Sequence, residues 1–319
     1  MAKKVLIDCD PGIDDALAIA LAHGDERVEV VGITTVGGNV DLDNTTNNAL
    51  CLAEYFGMRA PVVAGAGRPL VRERRRASDV HGANGLADIV LPAAKGAQHE
   101  QHATDFIIDA LAAAPGEISL VAIGPLTNIA LALRKEPRIA EWAAEFVIMG
   151  GSYTRGNNTP AAEFNIAADP EAAAVAFGAP WRTTMVGLDL TLQARATPEV
   201  LSRFTDLGRL ERELITPCLD FLGRHAQYRD EGPAVHDACA MARVIDPDLI
   251  TAVPARVDVE TRGEFTSGMT VVDFRGVDFR DSAVPDDAVP HNADVATVID
   301  REAFWTLLVD ALHRVAGDI

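Results

Sequence analysis

The sequence lacks closely spaced cysteines and any apolar run long enough to span a membrane. Its four cysteines are scattered and form no C-x-x-C pair, so we expect reduced, buried thiols rather than disulfides or a zinc site. No apolar stretch approaches the roughly 18 residues of a membrane helix. The N-terminus runs straight into a strand pattern, without the apolar segment of a signal peptide. These absences predict a cytoplasmic protein.

Basic residues are also scarce relative to acidic ones. Lys and Arg total 28 against 47 Asp and Glu, which gives a formal net charge of −19. Such a chain repels phosphate backbones and anionic lipid surfaces, so neither nucleic acid nor membrane is an expected partner. The chain has no internal repeat, low-complexity linker or break in composition, and we predict a single domain over residues 1–319.

Short apolar strands alternate with helical patterns through the first half of the chain. This alternation predicts an α/β fold with a doubly wound, mostly parallel, Rossmann-like sheet flanked by helices. The second half is less regular and predicts helices near 207–224, from about 236 and over 301–315, with antiparallel strands within 253–272. Two polar segments near 71–85 and 224–232 are predicted to be mobile, either as solvated loops or as lids over a site. In the first half, the predicted strands are 4–9, 28–36, 118–123, 146–149 and 182–187, and the predicted helices are 13–23, 42–56, 104–114, 126–135 and 170–177.

Four carboxylates lie within eight residues where the first predicted strand meets the first helix. They are Asp8, Asp10, Asp14 and Asp15 in the segment DCDPGIDD. A single Asp here is as well explained by helix capping. Four like charges at close range repel unless a cation or many hydrogen-bond donors compensate them. Oxygen ligands without nearby His or Cys favour Ca²⁺ or Mg²⁺ over zinc, although the spacing is not that of an EF-hand.

Other strand ends carry polar residues as well, at the edge where open α/β sheets bind ligands. Asn39 follows Gly37-Gly38, and Thr127 follows Gly124-Pro125. Glu163 and Asn165 follow the fourth predicted strand, and a His236-Asp237 pair opens a late helix. Each has an ordinary alternative, such as a proline-led first turn of a helix or a capping group. Their shared position nevertheless predicts one common site.

These motifs together resemble a known family. The segments DCDPGIDDALA, GPLTNIALAL, IMGGSY, AAEFNIAADPEAA and VHDACA occur in the order found in nucleoside hydrolases of the inosine–uridine-preferring type, from about residue 3 to residue 245. The resemblance implies an enzyme that hydrolyses the N-glycosidic bond of ribonucleosides to free base and ribose, in purine or pyrimidine salvage. Family members often have His-Asp-Pro where this chain has His236-Asp237-Ala238, a change that removes no ligand atom.

The resemblance also implies roles for individual residues. A Ca²⁺ ion would be held by Asp10, Asp15, Asp237 and the Thr127 carbonyl, with Asp10 as the general base toward a water on the metal. His236 would protonate the leaving base, while Asp8 would be structural. Phe164 would pack against the sugar or base, and Tyr228 is a candidate base contact. The remaining substrate contacts implied are Asp14, Asn39, Met149, Asn157, Glu163 and Asn165 around the ribose, and His81 near the base.

This set of residues suits the chemistry. Cleavage of an N-ribosyl bond develops positive charge at the anomeric carbon, which carboxylates and amides around the sugar hydroxyls would stabilise. A metal lowers the pKa of a bound water, and Asp10 would accept its proton. A protonated base leaves more readily, and histidine can supply a proton near neutral pH. No covalent nucleophile is required.

Two alternatives remain open from the residues alone. Haloacid dehalogenase-type phosphatases also have Asp-x-Asp after their first strand, although Pro11-Gly12 departs from their pattern. A non-catalytic nucleoside- or ribose-binding protein would retain the same sugar pocket. We further expect a homodimer or homotetramer. The sequence does not indicate which nucleobase is preferred.

Overall fold

Nine strands form one sheet in the computed structural model, which describes residues 2–75, 77–224, 232–275 and 291–319. Strand β1 follows directly from the N-terminus, and β9 precedes the last helix. The strands are β1 (Lys3–Cys9), β2 (Val28–Thr35), β3 (Val62–Ala64), β4 (Ile118–Ala122), β5 (Glu145–Met149), β6 (Thr183–Val186), β7 (Ile250–Val259), β8 (Thr270–Asp273) and β9 (Ala293–Ile299).

Helices connect most of these strands, and none of those described is long and apolar enough to cross a membrane. The helices are α1 (Ile13–Gly24), α2 (Leu42–Tyr55), α3 (Ser78–His81), α4 (Ala103–Ala113), α5 (Thr127–Lys135), α6 (Ile139–Trp142), α7 (Phe164–Ala168), α8 (Pro170–Phe177), α9 (Leu188–Thr191), α10 (Pro198–Leu201), α11 (Gly208–Leu210), α12 (Thr216–Gly223), α13 (Asp237–Ile245) and α14 (Arg301–Asp318), with a π-helical turn at Glu211–Ile215 and a 3₁₀ turn at Pro247–Leu249.

The strand order is β3-β2-β1-β4-β5-β6-β9-β7-β8. All neighbours from β3 to β9 pair in parallel, whereas β7 runs antiparallel to both β9 and β8. The chain winds outward from β1 in one direction and then outward from β4 in the other. The connections at the carboxyl ends of β1 and β4 therefore diverge and leave a crevice, the position where open α/β sheets bind ligands.

Strand β1 has both faces buried, as the centre of such a sheet requires. Val5, Ile7 and Cys9 point into one apolar cluster, and Leu6 points into the other. Alternate residues face opposite sides of a strand, so a strand covered by helices on both sides becomes a continuous apolar run. Helices α1, α13 and α14 belong to the first cluster, and α4, α5 and α8 belong to the second. This rigid double-sided core fixes where the polar end of β1 emerges.

The predicted fold is confirmed, and the predicted elements of the first half agree with the structure to within one or two residues. The predicted helix at 207–224 is divided by the π-helical turn. Strands β3 and β9 were not predicted. β3 has only three residues, too few for a periodic pattern. β9 inserts beside β6 in parallel although it comes near the end of the chain. All four cysteines are buried and unpaired, as expected.

Candidate active site

A cavity of about 250 Å³ opens at the carboxyl ends of the central strands. Its residues come from the strand-end motifs and from segments distant in sequence. We call the residues at the strand ends and at the starts of α1, α7 and α13 the carboxylate wall, which comprises Asp14, Asn39, Ile123, Met149, Glu163, Phe164, Asn165 and Asp237. The remainder is the outer wall, which comprises Ala77, Asp79, Val80, His81, Asn157, Asn158, Leu222, Ala234 and His236.

Three buried carboxylates meet at the carboxylate wall, two of them in it and the third directly behind the cavity lining. Oxygens of Asp14, Asp15 and Asp237 lie within 4.8 Å of one another, close enough to share a metal ion. Helix α1 presents the first two in its opening turn, and α13 begins with the third. The Asp15 carboxylate is fixed because it accepts hydrogen bonds from the backbone N–H groups of Gly12 (2.8 Å) and Asp10 (3.2 Å). A helix start favours negative charge, but three carboxylates exceed what capping needs.

Asp10 lies beside this group, in a space that only glycine neighbours permit. Its Oδ2 accepts the Asn39 backbone N–H at 2.6 Å, whereas its buried Oδ1 has no hydrogen-bond partner. A Cβ atom added to Gly38 would lie 2.1 Å from Oδ2, and one added to Gly124 would lie 2.6 Å from Oδ1. An unpartnered buried carboxylate oxygen is costly unless a cation or a water meets it. The donor set, carboxylates only, fits a hard cation such as Ca²⁺.

Burial and mutual repulsion disfavour the charged forms of these carboxyl groups. Burial raises the pKa of Asp10 well above its ordinary value, and the Asp15 charge adds to the rise. Burial, followed by the Asp14 charge, raises the pKa of Asp15 to about 7. The pKa of Asp237 rises for the same reasons, first burial and then Asp14 and Asp15. A bound cation would reverse this balance, because opposite charge favours the ionised form.

Glu163 and Asn165 form the next part of the carboxylate wall. Glu163 caps α7 by accepting the backbone N–H groups of Asn165 and Ile166, and it also accepts that of Gly151 at 3.0 Å. Burial nevertheless raises its pKa to about 7. The Asn165 amide donates to the carbonyls of Ile123 and Met149, both at 3.1 Å. These bonds hold a carboxylate and an amide rigidly toward the cavity, as recognition of hydroxyl groups requires.

Two histidines in the outer wall are oriented through Nδ1. His81 Nδ1 accepts the backbone N–H of Ile13 at 3.1 Å, which places this ring against the start of α1. His236 Nδ1 lies 2.7 Å from the Thr191 hydroxyl. Burial lowers the pKa of His236. Both rings line the cavity.

Comparison with known proteins agrees with this geometry. The sequence profile of the "Inosine-uridine preferring nucleoside hydrolase" family matches residues 5–306. The chain belongs to this family. It is 44% identical to the enzyme of that name from Leishmania major, over 100% of this chain and 99% of the relative. It is 42% identical to the non-specific ribonucleoside hydrolase RihC of Escherichia fergusonii, over 98% and 99%. A plant nucleoside hydrolase structure superposes with a TM-score of 0.90 at 34% identity, covering 98% and 99%.

Membership of the nucleoside hydrolase family confirms the predicted class of enzyme and the reaction, hydrolysis of ribonucleosides to base and ribose. The phosphatase alternative is thereby set aside. The names of these two relatives differ in base preference, one being inosine–uridine preferring and one non-specific. Base preference therefore varies between relatives of nearly equal identity to this chain.

The structure brings most of the predicted site residues together. Asp10, Asp15 and Thr127 are buried next to the cavity but do not line it; Thr127 donates its hydroxyl to Asp169 at 2.7 Å. Asp8 is bonded to Thr34 and Asn128 at the sheet edge. Tyr228 lies outside the described residues. The predicted site residues that do line the cavity are Asp14, Asn39, His81, Met149, Asn157, Glu163, Phe164, Asn165, His236 and Asp237.

The sequence did not predict several other lining residues. Ala77, Asp79 and Val80 lie within four residues of His81, so their closeness in sequence to a predicted site residue could have identified them. Leu222 and Ala234 belong to no motif, and Ile123 and Asn158 are each adjacent to one. Apolar residues of this kind acquire their role only through tertiary packing, which no local pattern records.

Arginine side chains attach the segment 71–85 to three parts of the fold. Arg72 makes a bidentate ion pair with Glu171 at 2.8–3.0 Å and also donates to the Thr261 carbonyl. Arg74 pairs with Asp41 at the start of α2. Arg75 donates to Asn158 at 2.5 Å. These contacts hold the segment beside the cavity. Its mobility, expected from the sequence, stays a prediction.

Proposed function

We propose that this nucleoside hydrolase cleaves the N-glycosidic bond with Asp10 as the general base and Ca²⁺ as the resident cation. The proposed ligands are Asp10, Asp15, Asp237 and the Thr127 carbonyl. The observation that carries this proposal is the unpartnered, buried Oδ1 of Asp10 beside a cluster of buried carboxylates. Asp14 belongs to that cluster and also lines the cavity, so its carboxylate is close to both the proposed cation and the proposed sugar site.

Bound Ca²⁺ would compensate the carboxylate charges and give a water molecule a fixed position and a lowered pKa. Asp10 would accept a proton from the attacking water as the new C–O bond forms at the anomeric carbon. Its backbone bond from Asn39 keeps Oδ2 in place, and its Oδ1 is the oxygen without a protein partner. Because the cation would favour the ionised form of Asp10, its carboxylate would be ready to accept that proton.

Binding of the ribose is proposed to depend mainly on the carboxylate wall. We propose that Asp14, Asn39, Glu163 and Asn165 bind the ribose hydroxyls, with Met149 and Asn157 completing the pocket. As the bond to the base breaks, positive charge spreads over the anomeric carbon and the ring oxygen. Fixed carboxylates nearby stabilise that charge more than they stabilise the neutral substrate, and this difference lowers the barrier.

His236 is proposed to donate a proton to the departing base, with His81, Phe164 and Tyr228 as its neighbours around the base. Burial lowers the pKa of His236, so the protonated ring is a stronger acid but is present in a smaller fraction of molecules. The two electrons of the C–N bond go to the base, which keeps the proton. Free ribose and free base are the products.

We also propose a cytoplasmic homodimer or homotetramer that acts in salvage of purine or pyrimidine nucleosides. Four buried, unpaired cysteines support a reducing compartment. The net charge of −19 supports a small neutral substrate rather than nucleic acid or a membrane surface. Light scattering coupled to gel filtration measures the assembly.

A panel of purine and pyrimidine ribonucleosides, scored for ribose release, tests the proposed function. We expect turnover of several members of the panel, with free ribose and free base in equal amounts. Tight binding without ribose release would instead favour the non-catalytic binding protein. The rank order of the panel assigns the base preference.

A further inference from the structure

Thr191 is a buried residue on α9 whose hydroxyl bonds the imidazole of His236. Its Oγ1 lies 2.7 Å from His236 Nδ1, and the residue is 0% exposed. It belongs to no motif that distinguishes the site, and it does not line the cavity. A buried hydroxyl needs a partner, and the partner here is the ring proposed to act on the leaving base.

The backbone around Thr191 is held firmly at the sheet edge. Helix α9 starts directly after β6, and the Leu188 N–H donates to the Gly151 carbonyl at 2.9 Å. A Cβ atom on Gly187 would lie 2.8 Å from that same carbonyl oxygen, so the close approach depends on glycine. The Gln193 side chain then donates to the carbonyls of Asp189 and Thr297, both at 2.8 Å. These bonds therefore hold helix α9, and with it Thr191, in a fixed position.

The chain segment before His236 is bonded to the segment after α9. The Val235 N–H donates to the Ala194 carbonyl at 3.2 Å, and the Ala196 N–H donates to the Pro233 carbonyl at 2.8 Å. An antiparallel bridge between Arg195 and Ala234 lies between these two bonds. This short ladder sets the distance between α9 and the start of α13, so Thr191 and His236 meet in a defined geometry.

We propose that Thr191 is a positioning residue for His236, fixing the ring by its Nδ1 edge so that the Nε2 edge is directed toward the leaving base. This inference rests on the proposed role of His236. A hydroxyl can donate to a bare Nδ1 or accept from a protonated one, so the ring stays held before and after proton transfer. A carboxylate in this place would only accept, and it would favour the charged ring.

The chain offers a matched control for removing this hydroxyl. Thr183, on β6 just before α9, is 1% exposed, and its buried hydroxyl has no hydrogen-bond partner. Thr191→Val and Thr183→Val therefore make the same isosteric change in the same strand–helix unit. Thr191→Ser keeps the hydroxyl and loses only a methyl group.

The kinetic test measures kcat for inosine, uridine and p-nitrophenyl riboside. The loss of one positioning hydrogen bond is expected to lower kcat for the nucleosides about 10-fold in Thr191→Val, with p-nitrophenyl riboside within about 3-fold of wild type. Thr191→Ser and Thr183→Val should stay within about 3-fold on all substrates. In a His236→Ala background, Thr191→Val should have no further effect, because it acts through the missing ring.

Other outcomes would overturn the proposal. One is an equal loss of kcat from Thr191→Val with and without His236. The second is a Thr191→Ser variant as slow as Thr191→Val. The third is a folded Thr191→Val variant with wild-type kinetics. Equal losses on all substrates in His236→Ala alone would reject the acid role of His236 and leave its coupling to Thr191 testable. Ring ¹⁵N signals, assigned with His236→Ala, give a readout without turnover: Thr191→Val should shift the His236 signal, and Thr183→Val should not.

Discussion

The two walls of the cavity are built in different ways. The carboxylate wall comes from short motifs near strand ends, and backbone N–H groups fix side chains there, as at Glu163. The outer wall comes from the segment 77–81, the loop around Asn157 and the residues that flank positions 225–231, the stretch that contains Tyr228. One wall is rigidly joined to the sheet, and the other is joined through side chains and short ladders. This difference supports the proposal that the first wall mainly serves the sugar and the second mainly serves the base.

The largest expected effect is the preference of the carboxylate wall for ribonucleosides over deoxyribonucleosides. The carboxylate wall is expected to reject 2′-deoxyribonucleosides because a missing hydroxyl leaves buried polar groups such as Glu163 and Asn39 unpaired. Sites of this kind discriminate by about 10⁴-fold in kcat/KM. The measurement compares uridine with deoxyuridine and inosine with deoxyinosine. Comparable kcat/KM within a pair would mean that this wall does not recognise the sugar.

Asp10→Asn tests the chemistry of the carboxylate wall. The asparagine carbonyl can still accept the Asn39 N–H, and its NH₂ group occupies the position of the unpartnered Oδ1, so the fold should persist. Loss of the proposed base is expected to lower kcat by about 10³-fold or more. Asp8→Asn is the matched control, because Asp8 is equally buried near the end of β1 and likewise has one unpartnered oxygen, while its Oδ1 accepts from Thr34 and Asn128. Wild-type kcat in Asp10→Asn would exclude Asp10 as the base.

His236→Ala tests the outer wall. If His236 protonates the base, kcat should fall about 10²-fold for inosine or uridine, but little for p-nitrophenyl riboside, since nitrophenolate leaves without a proton. If His236 only orients Asp237, both substrate types should lose activity together. The ratio of the two losses, measured on one variant, distinguishes these roles.

The effect furthest from the chemistry is a pH-dependent change in stability behind the carboxylate wall. Burial raises the pKa of Asp8 from 3.8 to about 7. A carboxyl with a raised folded-state pKa imposes no cost below pH 4, an increasing cost between pH 4 and 7, and its full cost above pH 7. Asp8→Asn should therefore gain roughly 3–4 kcal/mol relative to wild type between pH 4 and pH 8. Urea unfolding at both pH values measures it, and a pH-independent difference would contradict the assigned burial cost.

Most of the carboxylate wall could be predicted from the sequence because many of its residues come soon after a short apolar strand. Parallel strands bring their carboxyl ends to one edge, so Asp10, Asn39 and Asn165 could be grouped without coordinates. The closeness of Asp14 to Asp237 was not predicted, since it depends on how α1 and α13 meet. The outer wall was predicted only at His81, Asn157 and His236.

The remaining features depend on contacts between distant segments. Thr191 meets His236 only because two segments pair about 40 residues apart, as in the bridge between Arg195 and Ala234. Leu222 reaches the cavity at the end of a helix that also carries a π-helical turn. No spacing or periodicity in the sequence indicates either contact. Strand β9 likewise joins β6 across more than 100 residues.

The measurement that tests the central claim most directly is calcium titration of chelator-treated protein, followed by both unfolding temperature and ribose release. The cation is proposed to offset the repulsion among Asp10, Asp15 and Asp237. About one equivalent of Ca²⁺ per chain should therefore raise the unfolding temperature and restore turnover in parallel. Full turnover after exhaustive chelation, or tight stoichiometric zinc with no response to calcium, would contradict the account.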